Sequence, residues 1–386
     1  MTQKKFNWSE RKILAFQQAF LIWYHREKRQ LPWREYRDPY AIWVSEIMLQ
    51  QTRVETVIGY YYRFMAEFPT IDDLANAPED KLLKIWEGLG YYSRARNLQL
   101  AAKQIVATFG GEFPQKVEEI ASLKGIGPYT TGAIASIAFG LPEPAIDGNV
   151  MRVTSRLFGL SDDIAKASTR KVFDSYLRQI LSAEEPGEMN QAFMDLGSSI
   201  CTPTSPECER CPIKQVCYAY ETKQTNQFPV KSKKQKPKNQ YYIAAAIENS
   251  QKEFAIVKRP ENGLLANMWL FPMQEVNESE YRHLTATWSK KEKEQQLDLG
   301  LVAEEDTIEV ADYFKGNIVW QTRHLGEITH VFSHLKWHVL LFYGRQVGTD
   351  ELLDANWVKM ADFPNYVFPK PQQKLVEELN KNRQQS

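Results

Sequence analysis

Leu123-Lys124-Gly125-Ile126-Gly127-Pro128-Tyr129-Thr130-Thr131-Gly132-Ala133 is the stretch on which the reading of this chain turns. Two glycines flank one apolar residue, proline follows at a first helical position, and an apolar run continues to Phe139, so the spacing predicts a glycine hairpin that opens a helix. Without a Cβ at Gly125 and Gly127, backbone amides can approach a phosphate oxygen at the positive end of the helix dipole, and Lys124 adds charge. Standing alone, the stretch is better read as a plain glycine turn. Its neighbours change that reading.

Upstream and downstream the pattern is helical. Ser9 to Lys28 begins with a cap-type serine and carries Ile13, Phe16, Phe20 and Trp23 at three-to-four spacing. Asp38-Pro39 predicts a cap and first helical residue for a helix over 40–51, and further periodic stretches cover 71–83, 93–109, 129–139, 149–158, 168–181 and 191–201. The first domain, residues 1–225, is therefore expected to be all-α. Residues 226–240 hold five basic and no acidic residues, with Pro229 and Pro237 among them, and read as a basic linker. Beyond it, 241–247, 253–258, 316–320 and 338–343 are β-branched or aromatic runs, which predict an α+β second domain over 241–370, followed by a C-terminal tail, 371–386.

The length of 386 residues favours two or three domains, and 43% hydrophobic with 25% charged residues excludes a collagenous or wholly disordered chain. The 48 basic and 48 acidic residues cancel, so net charge does not announce a nucleic-acid binder. The distribution says more: residues 241–386 carry a net −5 and the linker +5. The first eight residues lack a signal peptide's apolar stretch and no apolar run is long enough to span a bilayer, which leads to the expectation of a cytoplasmic protein with no membrane partner.

All four cysteines fall in Cys201-x6-Cys208-x2-Cys211-x5-Cys217, a loop that also holds Pro203, Pro206 and Pro212. Clustered cysteines in a reducing compartment point to a metal site, and spacing alone leaves iron and zinc equally open. A third signal is Pro144-Ala145-Ile146-Asp147-Gly148-Asn149-Val150-Met151-Arg152, where an aspartate before a helix is by itself only a cap.

In this order, a helix-hairpin-helix element, a glycine turn with aspartate and a four-cysteine loop resemble the endonuclease III superfamily of base-excision DNA glycosylases over about residues 8 to 225. Within it, Leu31-Pro32-Trp33-Arg34, Trp43 to Thr52, Gly88 to Arg96, Val150-Met151-Arg152 and Asn190 to Gly197 resemble the MutY-type branch, the adenine DNA glycosylases. One departure is Lys124, where the family often has proline; the phosphate-binding amides are unaffected by it. The resemblance implies a 4Fe-4S cluster on Cys201, Cys208, Cys211 and Cys217. It implies a nucleoid-associated monomer whose partner is double-stranded DNA containing adenine opposite 8-oxoguanine or guanine. Removal of the adenine would leave an abasic site.

Tyr129 stands where strand-cutting members carry a lysine whose amine attacks the sugar, so the resemblance implies a monofunctional enzyme. Two carboxylates offer opposed protonation states. Glu46, among Val44, Ile47, Met48 and Leu49, should be kept protonated by burial, and by resemblance it protonates adenine N7. Asp147, facing backbone amides before the Asn149 helix, is expected to be ionised and to stabilise a cationic sugar, with covalent attack left open. Tyr129 and Asn149 are expected to orient the pair. Because a stacked base must be flipped out, Gln51, Leu89, Gly90 and Tyr91 match the family's wedge region, and Trp33, Arg34, Thr52 and Gln191 positions near the base or DNA.

The second domain resembles a Nudix-like module from Gly263 to Pro272, but the paired-glutamate metal box is missing, so pyrophosphate hydrolysis is not expected. Phe332-Ser333-His334 matches the family's loop placed to sense 8-oxoguanine, although taken alone a three-residue match reads by default as a solvated hairpin. Two alternatives remain at this point: an endonuclease III-type bifunctional enzyme for oxidised pyrimidines, disfavoured by Tyr129, and a non-catalytic iron-sulfur DNA-binding protein, which would not require Glu46, Asp147 and Asn149 together.

Overall fold

A computed structural model describes residues 6–233, 236–289, 309–321, 323–348 and 355–384. By contacts between Cα atoms the chain divides into two compact units, Met1–Ile85 with Ser93–Lys233, and Trp86–Tyr92 with Lys234–Ser386. No helix among the described residues is long and apolar enough to cross a membrane.

The first unit is helical: α1 Glu10–Glu27, α2 Pro39–Leu49, α3 Val54–Glu67, α4 Ile71–Asn76, α5 Glu79–Ile85, α6 Ser93–Phe109, α7 Val117–Ser122, α8 Pro128–Phe139, α9 Gly148–Phe158, α10 Arg170–Ile180, α11 Pro186–Ser199 and the short α12 Tyr218–Glu221. Local chemistry sets the ends. Ser9 accepts from the Lys12 amide, Asp38 from the Tyr40 and Ala41 amides, and Asp147 from the Val150 amide. The single helix expected over 71–83 is two, because Pro78 removes an amide and pushes Ala77 into extended backbone. Phe16, Phe20, Trp23, Phe158, Phe173 and Phe193 bring α1, α9, α10 and α11 around one core, and Cys201, Cys211 and Cys217 pack against its edge. Burying each such ring contributes about 1.5–3 kcal/mol, which fixes the four helices rigidly under the cysteine loop.

The basic stretch is less free than its composition suggests. Phe228 is buried, Val230 accepts from the Ile164 amide and the Ser232 amide donates to Asp163, so its first part is bound to the first unit. Lys234 and Gln235 lie outside the described residues.

The second unit is built on a mixed sheet: β1 Lys238–Glu248, β2 Glu253–Lys258, β3 Trp269–Leu270, β4 Met273–Val276, β5 Ile318–Trp320, β6 Gly326–Val331, β7 Leu335–Gln346 and β8 Asn356–Lys359. At its centre β1 and β7 run parallel from Lys238↔Leu335 to Glu248↔Arg345, and the other pairings are antiparallel. Ile243, Ala244, Ala245, Ala246 and Ile247 are all buried, as a central strand covered on both faces requires. The helix α13 Glu278–Ser289 lies on β1. Residues 371–386, expected as a tail, instead form most of α14 Lys370–Gln384, with Leu375 and Leu379 buried; their three-to-four spacing is the apolar stripe of a packed helix.

Candidate active site

A cleft of about 660 Å³ opens in the first unit, a volume sufficient for a nucleoside. Its walls bring together Trp33, Arg34, Glu46, Gln51, Thr52, Gly125, Gly127, Tyr129, Asp147, Asn149 and Gln191, residues up to 158 positions apart in sequence. Lys124 lies on a smaller adjoining cavity with Trp43 and Arg94, its amide donating to the Gln104 side chain. Arg94 donates to the carbonyls of Ile47, Met48 and Gln50 at 2.7–3.0 Å, closing the end of α2 with a cation and fixing the turn that carries Gln51. Gln51 itself is left-handed, with φ +59.

Glu46 projects from α2 with 6% exposure, and Tyr129, on the second residue of α8, donates its hydroxyl to Glu46 Oε2 at 2.5 Å. Burial raises the Glu46 pKa above the ordinary carboxylate value; the Tyr129 hydrogen bond and the charge of Arg34 oppose the rise, and Asp147 adds to it. Desolvation and the two carboxylates drive the Tyr129 phenol well above its ordinary value, so it remains a neutral donor. Asp147 accepts from the Val150 amide at 2.7 Å and from Asn149 Nδ2 at 2.9 Å. Those bonds were expected to favour its ionised form, yet its pKa is also raised: burial outweighs the donors that pull it down. The two carboxyls form a coupled pair in which Asp147, with more donors, ionises more readily than Glu46.

Residues to which the sequence assigned no individual role complete this arrangement. Asp195, 6% exposed in its side chain, accepts from both Arg34 and Arg29; burial pushes its carboxyl up, but the Arg34 bonds and the two charges hold it below the ordinary range. Arg34 is thereby turned to Asp195 at 2.7 and 3.1 Å, leaving Glu46 without a direct cationic partner. Arg152 holds Asn149 Oδ1 at 2.8 Å, the Gly197 carbonyl at 2.6 Å and the Cys201 carbonyl at 2.9 Å, which fixes the amide that faces Asp147. Gly197 permits this approach, since a Cβ there would lie 2.7 Å from Asn149 Cβ. A sequence shows an aspartate two residues before a glycine and an arginine three after an asparagine; which partners they meet is set by the packing of the helices, α9 on α11 among them.

The hairpin between α7 and α8 has the expected form. Gly125 takes φ +77 and a Cβ there would lie 2.6 Å from Asn97 Cβ, while Gly127 precedes Pro128 with open space where a Cβ would stand. The amides of Gly125 and Gly127 make no backbone hydrogen bond among the described residues and stand at the start of a helix, where an anion is favoured.

The four cysteines line one small cavity with Arg156, and no carboxylate or imidazole lines it. Among the described residues no group of three or more His, Cys, Asp or Glu side chains is gathered to hold a metal ion. Arg156 is 2% exposed and has no carboxylate partner among the described residues; its guanidinium meets Cys201 Sγ at 3.3 Å and the carbonyls of Thr202, Pro203, Thr225 and Phe228. A cation so buried needs a compensating negative charge, and thiolates are the nearby groups able to supply it.

In the second unit, Leu89 is buried, Gly90 takes φ +70, and Tyr91 is half-exposed with φ +49. Inside this unit the Tyr91 and Ser333 hydroxyls are 2.8 Å apart, and Glu87 accepts from the Phe368 amide and the Gln373 side chain. Phe332-Ser333-His334 is the turn between β6 and β7. Phe332 packs edge-on against Trp337 and His330, and Ser333 and His334 face solvent. Burial, with Lys374 and Lys370 nearby, pulls the His330 pKa down to about 4, so that ring is a neutral support.

Residues 44–179 match the HhH-GPD superfamily base excision DNA repair proteins and residues 243–378 match the NUDIX domain. The adenine DNA glycosylase of Rattus norvegicus is 33% identical, the match covering 96% of this chain and 79% of that protein. The enzyme of the same name from Homo sapiens is 32% identical over 91% of this chain and 71% of its own length, and that of Buchnera aphidicola (strain Sg) 31% identical over 95% and 99%. Among solved structures, a thermostable thymine-DNA glycosylase superposes with a TM-score of 0.51 at 28% identity, covering 55% of this chain and 98% of that one.

Proposed function

The chain belongs to the adenine DNA glycosylases of the HhH-GPD superfamily, a base-excision repair enzyme that removes adenine, and from that premise we propose that its substrate is adenine opposite 8-oxoguanine or guanine and that Glu46 and Asp147 carry the reaction. The observation that carries this reading is the pairing of a buried, hydrogen-bonded Glu46 with a multiply held Asp147 in one cleft.

The chemistry divides accordingly. Glu46, kept neutral by burial, gives its proton to adenine N7 and turns a poor leaving group into a neutral base. Tyr129 holds the carboxyl on its other oxygen and fixes the direction of transfer. As the glycosidic bond breaks, positive charge on the sugar favours ionised Asp147, which Asn149 and the Val150 amide already orient. Water completes the hydrolysis, with Glu46 as the base that accepts its proton. Among the described residues no lysine lines the cleft, so a Schiff base with strand cleavage finds no amine among them.

The thiolates of Cys201, Cys208, Cys211 and Cys217 would hold a 4Fe-4S cluster, supported by a cavity that all four sulfurs line with no carboxylate or imidazole and by the buried Arg156, which has no carboxylate partner among the described residues. Such a cluster would tie the loop after α11 into one rigid piece. Recognition of 8-oxoguanine is assigned to Tyr91, Ser333 and His334, exposed polar groups of the second unit, since a hydroxyl can donate to or accept from the altered purine edge.

The test is incubation of labelled duplex carrying adenine opposite 8-oxoguanine, read with and without alkali. Base loss that becomes a strand break only after alkali is the expected result. A break without alkali would return the bifunctional reading.

A further inference from the structure

Arg170, the first residue of α10, lines the catalytic cleft alongside Asp147 and Asn149. It also lines a groove on the other side of Pro128 and Ile146, so its side chain forms part of the wall between the two. Its Nη2 is buried and has no hydrogen-bond partner among the described residues. The acidic groups around it are engaged elsewhere. Asp174 accepts from Arg178 Nε at 2.8 Å, Glu143 takes both terminal nitrogens of Arg178 at 3.1 and 2.6 Å, and Asp147 is held by Val150 and Asn149.

A buried N–H without an acceptor pays its full desolvation penalty, and an arginine cannot relieve it by losing its proton. The position makes the deficit sharper. Asp174 and Asp147 act on Arg170 through charge without giving Nη2 an acceptor, so a guanidinium short of one hydrogen bond sits beside the place where the sugar becomes cationic, and its own positive charge opposes bond breaking there. An anion that arrives with the substrate removes both difficulties. A flipped nucleotide brings a phosphodiester on each side of its sugar, and the guanidinium fork matches a phosphate in shape and charge, whereas adenine offers only neutral acceptors.

We propose that Arg170 is a substrate-binding residue whose guanidinium holds a backbone phosphate of the nucleotide extruded into the cleft. The assignment rests on the glycosylase reading above and adds to it a contact made only after extrusion. The hairpin amides at Gly125 and Gly127, by contrast, are available to any duplex.

The experiment uses the full chain as wild type, Arg170→Gln and Arg170→Lys. Binding is measured to an unmodified duplex and to one carrying a tetrahydrofuran abasic site, which is extruded without being cleaved, between about 50 and 200 mM salt. For Arg170→Gln, affinity for the abasic duplex should fall about ten- to a hundredfold and the slope of log K against log salt should lose about 0.9, the signature of one missing phosphate contact. Affinity for unmodified duplex should stay the same, and Arg170→Lys should keep the slope. An unchanged slope on the abasic duplex, or an equal loss on both duplexes, overturns the proposal. So does a shifted pH profile of excision with an unchanged slope, which would make Arg170 a positioning residue for Asp147. Wild type that fails to excise adenine would instead strike the reaction assigned above, and the binding comparison would still decide Arg170.

Discussion

Glu46 meets one hydrogen-bond donor and Asp147 meets several, and that difference separates two carboxyls that burial alone treats alike. Because burial raises Glu46 above 4.5, its folding contribution is fully present below that pH and is lost as the pH climbs through the folded value. Glu46→Gln is neutral throughout and escapes the loss. Its melting temperature relative to wild type should therefore rise with pH, by about 2–4 °C for each kcal/mol, while excision falls about a hundredfold or more with DNA binding intact. Thermal melts across pH with single-turnover excision check this; a flat difference in melting, or a wild-type rate, removes Glu46 as the acid. Its burial was legible because apolar neighbours stand on both sides of it. The cap role of Asp147 was legible too, from the glycine and the helix that follow. The direction of its pKa was not, since only the assembled cleft shows how little water reaches it. Asp195 and Arg152 stood in stretches that carry the resemblance but received no role, for a related reason: polar partners on different helices leave no periodic trace in sequence.

At the scale of elements, the hairpin and α11 use glycine in opposite ways. Gly197 lies against Asn149, so Gly197→Ala forces Asn149 and the Arg152 bond to it aside. Overpacking of this kind lowers stability by about 1–3 kcal/mol, and excision should slow about tenfold or more as the amide leaves Asp147. Gly127 has open space around it and an extended φ of −94, so Gly127→Ala should melt like wild type but bind every duplex more weakly, because the methyl stands where a phosphate approaches. Melting curves and binding to unmodified duplex separate the two; identical behaviour of both variants would mean that neither glycine has the use assigned to it. Most helices could be read from caps and spacing. α3, with Val57, Tyr61 and Phe64 on its buried face, carries the same spacing but no capping side chain at Arg53, and so lacks the boundary signal that marks α1 and α2. The strands β3, β4 and β8 have between two and four residues, too short to show alternation.

For the whole molecule, the division into two units puts Trp86–Tyr92 with the sheet-bearing part, whereas sequence order placed it in the helical part. Contiguity is all that a linear reading has, and an excursion of seven residues gives no compositional sign. Full-length protein with Ser333→Ala and His334→Ala should excise adenine opposite 8-oxoguanine and opposite guanine at more similar rates, the ratio falling about ten- to a hundredfold. Retention of the full ratio would move lesion sensing to Gln51 and the cleft. Purified protein should also be yellow-brown, with iron and acid-labile sulfide near four each per chain for the cluster assigned; colourless protein with one zinc would refute that assignment.

The interrupted second unit also has a history in time. Synthesis runs from the N-terminus at about 5–20 residues per second, so Trp86–Tyr92 leaves the ribosome many seconds before Lys238 and longer still before β7. Trp86 bonds Gly90 inside that segment, but the Phe368 amide and the Gln373 side chain that Glu87 holds belong to the far end of the chain. The segment waits through most of translation for those two partners, and a chain released before the last helix would lack the Gln373 one for good.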